Sequence, residues 1–443
     1  MDLPFLPPLW QDLLVSMAFF LHQRHAWRLA VLLLGALFAN GRRTVTSWLR
    51  AAQVGHGVAA YYYFLAALSH QTDFLAGLLL RYALDRLAPD GPLLFAIDDS
   101  PTKRYGPHVQ GAGLHHNPTP GPTDQKFLYG HVWVCLAWIV RHPLWGTLGL
   151  PLLGLLYVRR KDVPRLPPRA GWSFHTKLEL AADLVTWAAR WVRTAGKSVR
   201  VVVDGFYAKR PFLKAAAAAE VTVVSRLRRD AGLRTVPVPP RGRRRRGRPP
   251  RYGPGRISLA KRAGHQRGWL TVQARQYGEV RVKRIKTFVA TWPPAGGRIR
   301  VVMVREEHGW LALFSTDVSL AVEEILSLAA DRFSIEQDFH DLKEVEGLGQ
   351  QQLRNIWANV GAFHVSAWVH TLVELWAWDR PREALCDRSA SPWDDAERRP
   401  SHADRRKALQ RQCLSQEFRH LAAGQTLTAE IQQFVGRVIN HAA

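Results

Sequence analysis

The sequence predicts a mixed α/β fold in which a helical N-terminal region precedes a sheet with flanking helices. Three patterns support this prediction. Residues 1–90 have the apolar spacing of helices. Short aliphatic runs at 93–97, 199–203 and 221–224 are separated by helix-forming segments. Residues 269–314 then alternate like antiparallel strands, so a β-strand insertion is expected before the chain becomes helical again.

Length and composition limit the classes of protein that remain. The chain has 443 residues, which suggests about three domains, and 47% of them are hydrophobic, which is ample for a buried core. Three cysteines without a Cys-x-x-Cys motif exclude a disulfide scaffold and a cysteine-rich metal module, and they indicate a reduced, intracellular location. The net charge of +25 predicts a polyanionic partner.

The chain is expected to have no membrane partner and no signal peptide. Its first 14 residues carry three prolines and no basic residue. The closest candidate for a span is 142–158, which Pro143 and Pro151 interrupt. A buried strand and helix explain the apolar residues of this segment as well as a span would.

Changes in pattern along the chain predict five regions. They are a helical DNA-binding domain (1–90), a first part of the α/β core (91–225), a basic loop with the β-strand insertion (226–316), core helices that carry a glutamate (317–378) and a polar, helical, partly mobile tail (379–443).

The positive charge is concentrated in one segment. Residues 226–286 contain 20 lysines and arginines against two acids. A segment of this density binds nucleic acid by releasing counterions from the phosphates. Within it, Arg246-Gly247-Arg248-Pro249 has the core of an AT-hook, which enters the minor groove, and the alternative is a solvated loop without sequence preference. Both interpretations predict DNA contacts by Arg243, Arg244, Arg245, Arg246 and Arg248.

The N-terminal region contains a candidate DNA-binding helix. Thr44 is predicted to cap a helix in the segment 41–50, which is both apolar and basic. This segment fits a helix-turn-helix motif, and it fits a plain helical bundle with a basic edge equally well.

Three acids occupy positions that are suited to metal ligands. Asp98 follows one strand run, Asp204 follows another, and Glu336 lies near the start of a helix after the insertion. Neighbouring strands would place the two aspartates side by side, and a helix could carry the glutamate across to them. Three carboxylates make a hard oxygen site for Mg²⁺, which can activate a water or a 3′-hydroxyl against a phosphodiester. The alternative for Asp204-Gly205 is simple turn chemistry.

The helix that carries Glu336 is predicted in more detail. Ser334 and Gln337 have the spacing of a capping box, which would start the helix about there. Its buried face is predicted to contain Ile335, Phe339 and Leu342. The adjacent face carries Glu336, His340 and Lys343. A metal ligand beside a phosphate-binding lysine would have this arrangement, and so would an ordinary solvated face.

The third of these acids lies in a pattern that resembles a known signature. Arg332-x₃-Glu336-x₆-Lys343 matches most of the Tyr-x₂-Arg-x₃-Glu-x₆-Lys signature of the IS4-type DDE transposases. The tyrosine of that signature is replaced by Ala329.

Two further blocks carry the same resemblance. Asp98-Asp99-Ser100 resembles the first catalytic block of these enzymes, and VVVDGFYAKRPFL, which contains Asp204, resembles the second. The resemblance covers about residues 93–375. It points to the IS701-like branch, whose members are DDE superfamily endonucleases.

The resemblance implies an RNase H-like mixed-sheet core and a defined catalytic site. Asp98, Asp204 and Glu336 would bind Mg²⁺, for which Mn²⁺ could substitute, and Asp99 is an alternative first ligand. Arg332 and Lys343 would contact phosphates near the cut. Further candidate DNA contacts are His340, Lys103 and Arg104, although a surface turn would explain Lys103 and Arg104 equally well.

The implied activity is that of a DNA transposase. A metal-bound water would cut the strand at a transposon end, and the freed 3′-hydroxyl would attack target DNA. The resemblance implies a homodimer on double-stranded inverted-repeat ends, in the bacterial cytoplasm and associated with the nucleoid. A tryptophan of the insertion could stack on a displaced base, with core packing as the alternative for each of Trp269, Trp292 and Trp310.

Two other functions remain open on the sequence alone. One is a non-catalytic DNA-binding protein derived from such an enzyme, which the replacement of the signature tyrosine by Ala329 favours. The other is a hydrolytic nuclease on the same core, which would cut DNA without joining it.

Overall fold

The computed structural model describes residues 6–117, 125–238, 249–388, 393–395 and 397–422, together with 428, 431–432, 435 and 438. The N-terminal region is helical, as the sequence predicts. Its helices are α1 (Pro8–Phe19), α2 (Gln23–Phe38), α3 (Val45–Ala51), α4 (Val58–Leu68) and α5 (Thr72–Leu87). The side chain of Thr44 accepts a hydrogen bond from the backbone N–H of Ser47, which confirms the predicted N-cap of α3.

The central part of the sheet is mixed. Its strands are β1 (Leu93–Lys103), β2 (Gly113–His116), β3 (Phe127–His142), β4 (Gly146–Tyr157), β5 (Val199–Val203) and β6 (Thr222–Leu227). β1 pairs in parallel with β5, and β5 pairs in parallel with β6. On its other side β1 pairs antiparallel with β3, which also pairs with β2 and β4. The prediction of a mixed sheet is therefore confirmed.

The β-strand insertion extends this sheet. Its strands are β7 (Leu233–Arg234), β8 (Arg256–Ile257), β9 (Leu270–Gln276), β10 (Glu279–Trp292), β11 (Gly297–Glu306) and β12 (Gly309–Ser315). β12 pairs antiparallel with β6, so the strands found in the described ranges form one continuous twelve-stranded sheet. The antiparallel pattern predicted for 269–314 is confirmed.

Helices cover both faces of the central strands. They are α6 (Lys177–Thr194), α7 (Arg210–Ala218), α8 (Leu259–Gly264), α9 (Val322–Asp331), α10 (Phe333–Glu344), α11 (Ile356–Ala377), α12 (Arg382–Leu385) and α13 (His402–Leu421). Successive side chains of a strand point to opposite faces. Phe95 of β1 packs in one hydrophobic cluster with α6 and the N-terminal helices, and Ala96 packs in a second cluster with α9 and α10. Burial on both faces explains the uninterrupted apolar run at 93–97.

Strand β1 continues beyond the point at which the sequence predicts its end. The apolar run stops before Asp98, but β3 is long enough to pair with β1 as far as Lys103. Ser100 and Thr102 are buried within this extension. Hydrophobic periodicity does not detect a strand whose buried side chains are polar, so the predicted boundary is wrong.

The segment predicted as a partly mobile tail contains a docked helix. Helix α13 packs against α2 and α11. His402 is buried between two carboxylates, with Nδ1 2.6 Å from Oε1 of Glu374 and Nε2 3.0 Å from Oε1 of Glu346. Arg405 donates to Glu374 at 2.9 Å, and Arg406 donates to backbone carbonyls of α2. The polar sequence of α13 therefore does not indicate mobility, because its charged side chains are the ones that dock it.

The candidate membrane segment forms a strand. Residues 146–157 are β4, and Pro151 lies where its register with β3 shifts. None of the helices in the described part of the chain has the length and apolarity that a bilayer crossing requires.

The ion pairs of α13 predict a pH-dependent stabilisation. Burial alone would lower the pKa of His402, but hydrogen bonds and charge from Glu346 and Glu374 raise it from 6.5 to about 9. The folded chain thus binds this proton more tightly than the unfolded chain. The stabilisation is complete below pH about 6.5 and is lost as the pH rises through about 9. We expect His402→Gln to lower the free energy of unfolding by about 3 kcal/mol at pH 6 and by clearly less at pH 9.5.

Urea denaturation at the two pH values measures this difference. The control is Glu397→Gln, which removes an exposed partner of Arg382 and should change the free energy of unfolding by less than about 0.5 kcal/mol. An equal loss for His402→Gln at pH 6 and pH 9.5 would contradict a stabilising charge on His402.

Candidate active site

Parallel pairing of β1 with β5 brings two of the predicted acids together. The last paired residues are Ile97 and Val203, and Asp98 and Asp204 are the next residue of each segment. The two aspartates therefore occupy adjacent positions where the pairing of β1 with β5 ends, although β1 itself continues along β3 as far as Lys103. Asp204 also accepts a hydrogen bond from the N–H of Phe206 at 3.2 Å, so the predicted turn chemistry exists alongside this position.

Strand alternation separates Asp98 from Asp99. Asp98 lies on the face of β1 that Ala96 shares with α10, and Asp99 lies on the opposite face, toward α6. Asp98 accordingly contacts Arg332, whereas Asp99 contacts Lys177. Of the two aspartates, Asp98 is the one directed toward the helix that carries the predicted glutamate.

Arg332 connects the acids across the site. Its Nη1 donates to Oδ2 of Asp98 at 2.7 Å, and its Nη2 donates to Oε1 of Glu336 at 2.6 Å. The charge of Asp204 acts on both Asp98 and Arg332. The guanidinium group of Arg332 thus bonds two of the acids, and Asp204, which is 106 residues after Asp98 and 132 residues before Glu336, is near enough for its charge to act on both Asp98 and Arg332.

The junction of α9 and α10 positions Arg332 and Glu336. Arg332 has helical backbone angles (φ −54°, ψ −29°), and no side chain caps α10. The predicted capping box of Ser334 and Gln337 is therefore wrong. The carbonyl of Leu328 in α9 accepts from the N–H of Arg332, and α10 begins at Phe333, about where the sequence predicts its start. The predicted buried face is confirmed for Ile335, Phe339 and Leu342.

The site concentrates negative charge in a partly dry environment. Burial, assisted by the charges of Asp99 and Asp204, raises the pKa of Asp98 from 3.8 to about 7, although Arg332 acts in the opposite direction. Burial would lower the pKa of Arg332, but Asp98 and Glu336 raise it overall. The guanidinium offsets part of the negative charge, and a further cation would offset the rest.

Asp99 accepts hydrogen bonds from a separate pair of donors, and the sequence analysis did not predict these contacts. Its Oδ2 accepts from Nζ of Lys177 at 2.6 Å, and its Oδ1 accepts from the hydroxyl of Tyr207 at 2.7 Å. Burial and the charge of Asp99 raise the pKa of Tyr207, so this phenol remains a neutral donor. Tyr207 lies three residues after Asp204 in the second block, which is the sequence signal that could have identified it.

The three acids have the donor chemistry for a hard divalent cation. Asp98, Asp204 and Glu336 offer carboxylate oxygens only, as Mg²⁺ prefers. Their oxygens do not all lie within 4.8 Å of one another, because Arg332 lies between Asp98 and Glu336. The residues fit a metal on chemistry and charge, and Arg332 balances part of the charge of the carboxylates.

A second group of potential ligands was not predicted from the sequence. His370, Glu374 and His402 bring potential ligand atoms within 4.8 Å of one another in a buried position. However, His402 already bonds Glu374, and the rings of His370 and His402 stack with centroids 3.9 Å apart. Stacked rings direct their lone pairs along separate planes. This cluster is better explained as part of the ion-pair network that docks α13, and the spacing His370-x₃-Glu374 is the signal that could have identified it.

The other two residues predicted on the face of α10 that carries Glu336, His340 and Lys343, have different environments. The side chain of His340 is 65% exposed and approaches Asp341. Lys343 is partly buried near Lys103 and Cys135, and this burial lowers its pKa. Neither His340 nor Lys343 bonds Asp98, Asp204 or Glu336. Both lie C-terminal to Glu336 on α10.

The remaining predicted DNA contacts are placed as follows. Lys103 is exposed at the end of β1, whereas Arg104 is only 6% exposed, so the surface-turn alternative is wrong for Arg104. Trp292 is buried against Phe314, and Trp269 and Trp310 are partly buried. The predicted arginines of the basic loop lie outside the described residues, namely Arg243, Arg244, Arg245, Arg246 and Arg248.

Asp98 and Asp99 should respond in opposite directions to neutralisation. Because the folded state raises the pKa of Asp98, its charge destabilises the fold, with no effect below pH about 3.8 and the full effect above about 7. Asp98→Asn should therefore raise the thermal unfolding midpoint at pH 8 in the absence of metal. Asp99→Asn breaks the contact with Lys177 and should lower the free energy of unfolding by about 2 kcal/mol.

Thermal unfolding at pH 8 in EDTA tests both variants. Asp85→Asn, which removes an exposed partner of Arg81, is the matched control and should leave the midpoint nearly unchanged. If Asp98→Asn is destabilised as strongly as Asp99→Asn, Asp98 is a structural ion-pair partner and the separation of roles is wrong.

Comparison with known proteins gives a family for the chain. The family model of the DDE superfamily endonucleases matches residues 17–287, which is more than half of the sequence. No curated protein gives a match. The matched region contains Asp98 and Asp204 and ends before Glu336. The assignment of Glu336 as the third acid therefore rests on its sequence motif and on its hydrogen bond with Arg332. Nucleases of this superfamily act on nucleic acids and generally use divalent metals. The chain belongs to the DDE superfamily endonuclease family.

Proposed function

We propose that the protein is a DNA transposase that cleaves strands at transposon ends and joins the freed 3′-hydroxyl to target DNA. The observation that carries this proposal is the meeting of Asp98, Asp204 and Glu336 around Arg332. These acids come from the three blocks that resemble IS4-type transposases, and the IS701-like branch is the proposed subfamily. The strand order β4-β3-β1-β5-β6, with β3 antiparallel to its neighbours, supports an RNase H-like core.

The proposed roles follow from the positions of the side chains. Asp98, Asp204 and Glu336 would hold Mg²⁺, for which Mn²⁺ could substitute. When bound, the metal supplies activation of the attacking water or hydroxyl and stabilisation of the leaving oxygen. Arg332 keeps Asp98 and Glu336 together and offers its guanidinium to the phosphate at the cut. Lys343, in the last turn of α10, would attract the phosphates of the DNA strand.

The proposed substrate is double-stranded DNA. The net charge of +25 favours a polyanion, and the exposed Lys103 and the basic loop around Arg246 would add contacts to the backbone. The family resemblance extends this proposal to a homodimer on paired inverted-repeat ends. The corresponding location is the bacterial cytoplasm, in association with the nucleoid.

The replacement of the signature tyrosine bears on the competing functions. Ala329 is partly buried in α9, one turn before Arg332, and packs into the second hydrophobic cluster. It leaves the contact of Arg332 with both carboxylates intact, which favours a catalytic protein over a DNA-binding relic. A hydrolytic nuclease would use the same acids and differ only in its products.

Removal of one carboxylate should abolish cleavage without abolishing binding. We expect Asp204→Asn and Glu336→Gln each to reduce Mg²⁺-dependent cleavage of DNA from the flanking ends by about 10³-fold, because each removes one ligand charge. DNA affinity in EDTA should change by less than about threefold, since most of the affinity comes from phosphate contacts elsewhere. Glu323→Gln on the exposed first turn of α9 is the matched control and should cleave like the wild type.

The products of the same assay separate the competing functions. Joined strand-transfer products that disappear in Asp204→Asn support the transposase. Nicks without joined products would support the hydrolytic nuclease. Wild-type cleavage rates in either carboxylate variant would exclude the proposed site, and tight binding without cleavage in Mg²⁺ or Mn²⁺ would support the non-catalytic DNA-binding protein.

A further inference from the structure

A basic cavity lies at the far end of β1 from the apolar run. It has a volume of about 250 Å³, and its walls come from the loop after β1, the loop before α11 and the segment before α3. Among the described residues that line it, there is no carboxylate. Its basic lining residues are Arg42, Arg104, His108 and Arg354.

Arg104 is buried in this wall, and no carboxylate of the described residues pairs with it. Its Nε donates to Nδ1 of His131 at 3.1 Å, and its Nη1 donates to the carbonyl of Gly349. Both acceptors are neutral. Burial lowers the pKa of Arg104 to about 10, with no opposing effect from a carboxylate, so the side chain remains a cation near neutral pH.

His131 fixes the orientation of this cation. Its Nε2 lies 2.9 Å from the carbonyl oxygen of Gln110, so Nε2 carries the hydrogen and Nδ1 is the acceptor for Arg104. Burial lowers the pKa of His131 to about 3, which keeps the ring neutral. The loop of Gln110 is bonded to that of Arg354, and the cavity is therefore held by both loops.

Burying a cation without a counter-charge destabilises the folded protein. Removing an ion from water costs several kcal/mol unless an opposite charge compensates it. None of the described residues supplies this compensation, and the cavity beside Arg104 is large enough to admit a phosphate group. A guanidinium can donate two parallel hydrogen bonds to the oxygens of a phosphate, which neutral acceptors of the protein do not replace.

The cavity also has a definite relation to the candidate active site. Arg104 follows the end of β1 and lies six residue steps after Asp98, which corresponds to about 20 Å at roughly 3.3 Å per step. Lys103, which lies between them on β1, is near enough to Lys343 for their charges to interact. Successive base pairs of DNA rise by about 3.4 Å, so this separation spans about six base pairs.

We propose that this cavity binds one backbone phosphate of the DNA substrate, within about six base pairs of the cut, and that Arg104 is its principal ligand. The proposal rests on the proposed action on DNA and adds a specific anchor to it. Arg42, His108 and Arg354 form the rim, which attracts the strand, and Arg104 supplies the buried hydrogen bonds.

Binding in EDTA tests this anchor independently of cleavage. We expect Arg104→Met to weaken duplex binding about tenfold and to reduce the slope of log affinity against log salt by about 0.9, the value for one lost phosphate contact. Arg354→Gln changes an exposed side chain and should cause a smaller loss in the same direction. Arg81→Gln, an exposed arginine paired with Asp85, is the matched control and should change neither quantity.

A substrate series locates the phosphate. Duplexes that each carry one methylphosphonate linkage lack a single backbone charge. The wild type should lose affinity at a linkage within about six base pairs of the cut, and Arg104→Met should lose little at that same linkage. If Arg104→Met does not fold, Arg354→Gln is compared with the wild type on the same series.

Three outcomes have clear consequences. Unchanged affinity and salt slope in both variants would overturn the proposal. Stabilisation of the wild type by inorganic phosphate, without an effect of either variant on DNA binding, would assign the cavity to a free anion and overturn it as well. Absence of cleavage by the wild type, together with the expected binding losses, would contradict the transposase and support the phosphate anchor.

Discussion

The alternation of side chains along β1 is the constraint on which the candidate site depends. Even-numbered residues of its apolar run face α10, and odd-numbered residues face α6. This simple geometry sends Asp98 toward Arg332 and Asp99 toward Lys177. Parallel pairing with β5 then sets Asp204 beside Asp98. A register shift of one residue would exchange the two aspartates and separate the acids, because every side chain of the strand would change face.

Arg332 explains how Asp98 and Glu336 lie close together despite their like charges. Neighbouring carboxylates repel each other, and the raised pKa of Asp98 reflects the cost of placing one of them in a partly dry position. The guanidinium bonds two of them at once and limits that cost. A stable fold would not require this accumulation of charge, so its presence favours a functional role. The same reasoning applies to Arg104, where the unbalanced charge is positive.

The sequence predicted the features that follow from periodicity and missed those that depend on polar packing. Burial on both faces made β1 and β5 visible as apolar runs, and the stripe of Ile335 and Phe339 marked the buried face of α10. The extension of β1 to Lys103 was missed because its buried residues are polar. The start of α10 at Phe333 agrees with the predicted start near Ser334, but the capping box predicted there is absent, because the preceding helix α9 leads directly into α10. The docking of α13 was missed because its buried side chains are charged, and sequence pattern alone assigns charged side chains to solvent.

The central claim is that Asp98, Asp204 and Glu336 form a divalent metal site next to Arg332. Titration of the protein with Mn²⁺, followed by calorimetry or electron paramagnetic resonance, tests it without reference to DNA. The account predicts that Mn²⁺ binds the wild type, that Mg²⁺ competes, and that Asp204→Asn and Glu336→Gln each weaken binding by at least about tenfold, since each removes a charged oxygen ligand. Mn²⁺ binding of equal strength in the wild type and in both variants would contradict it.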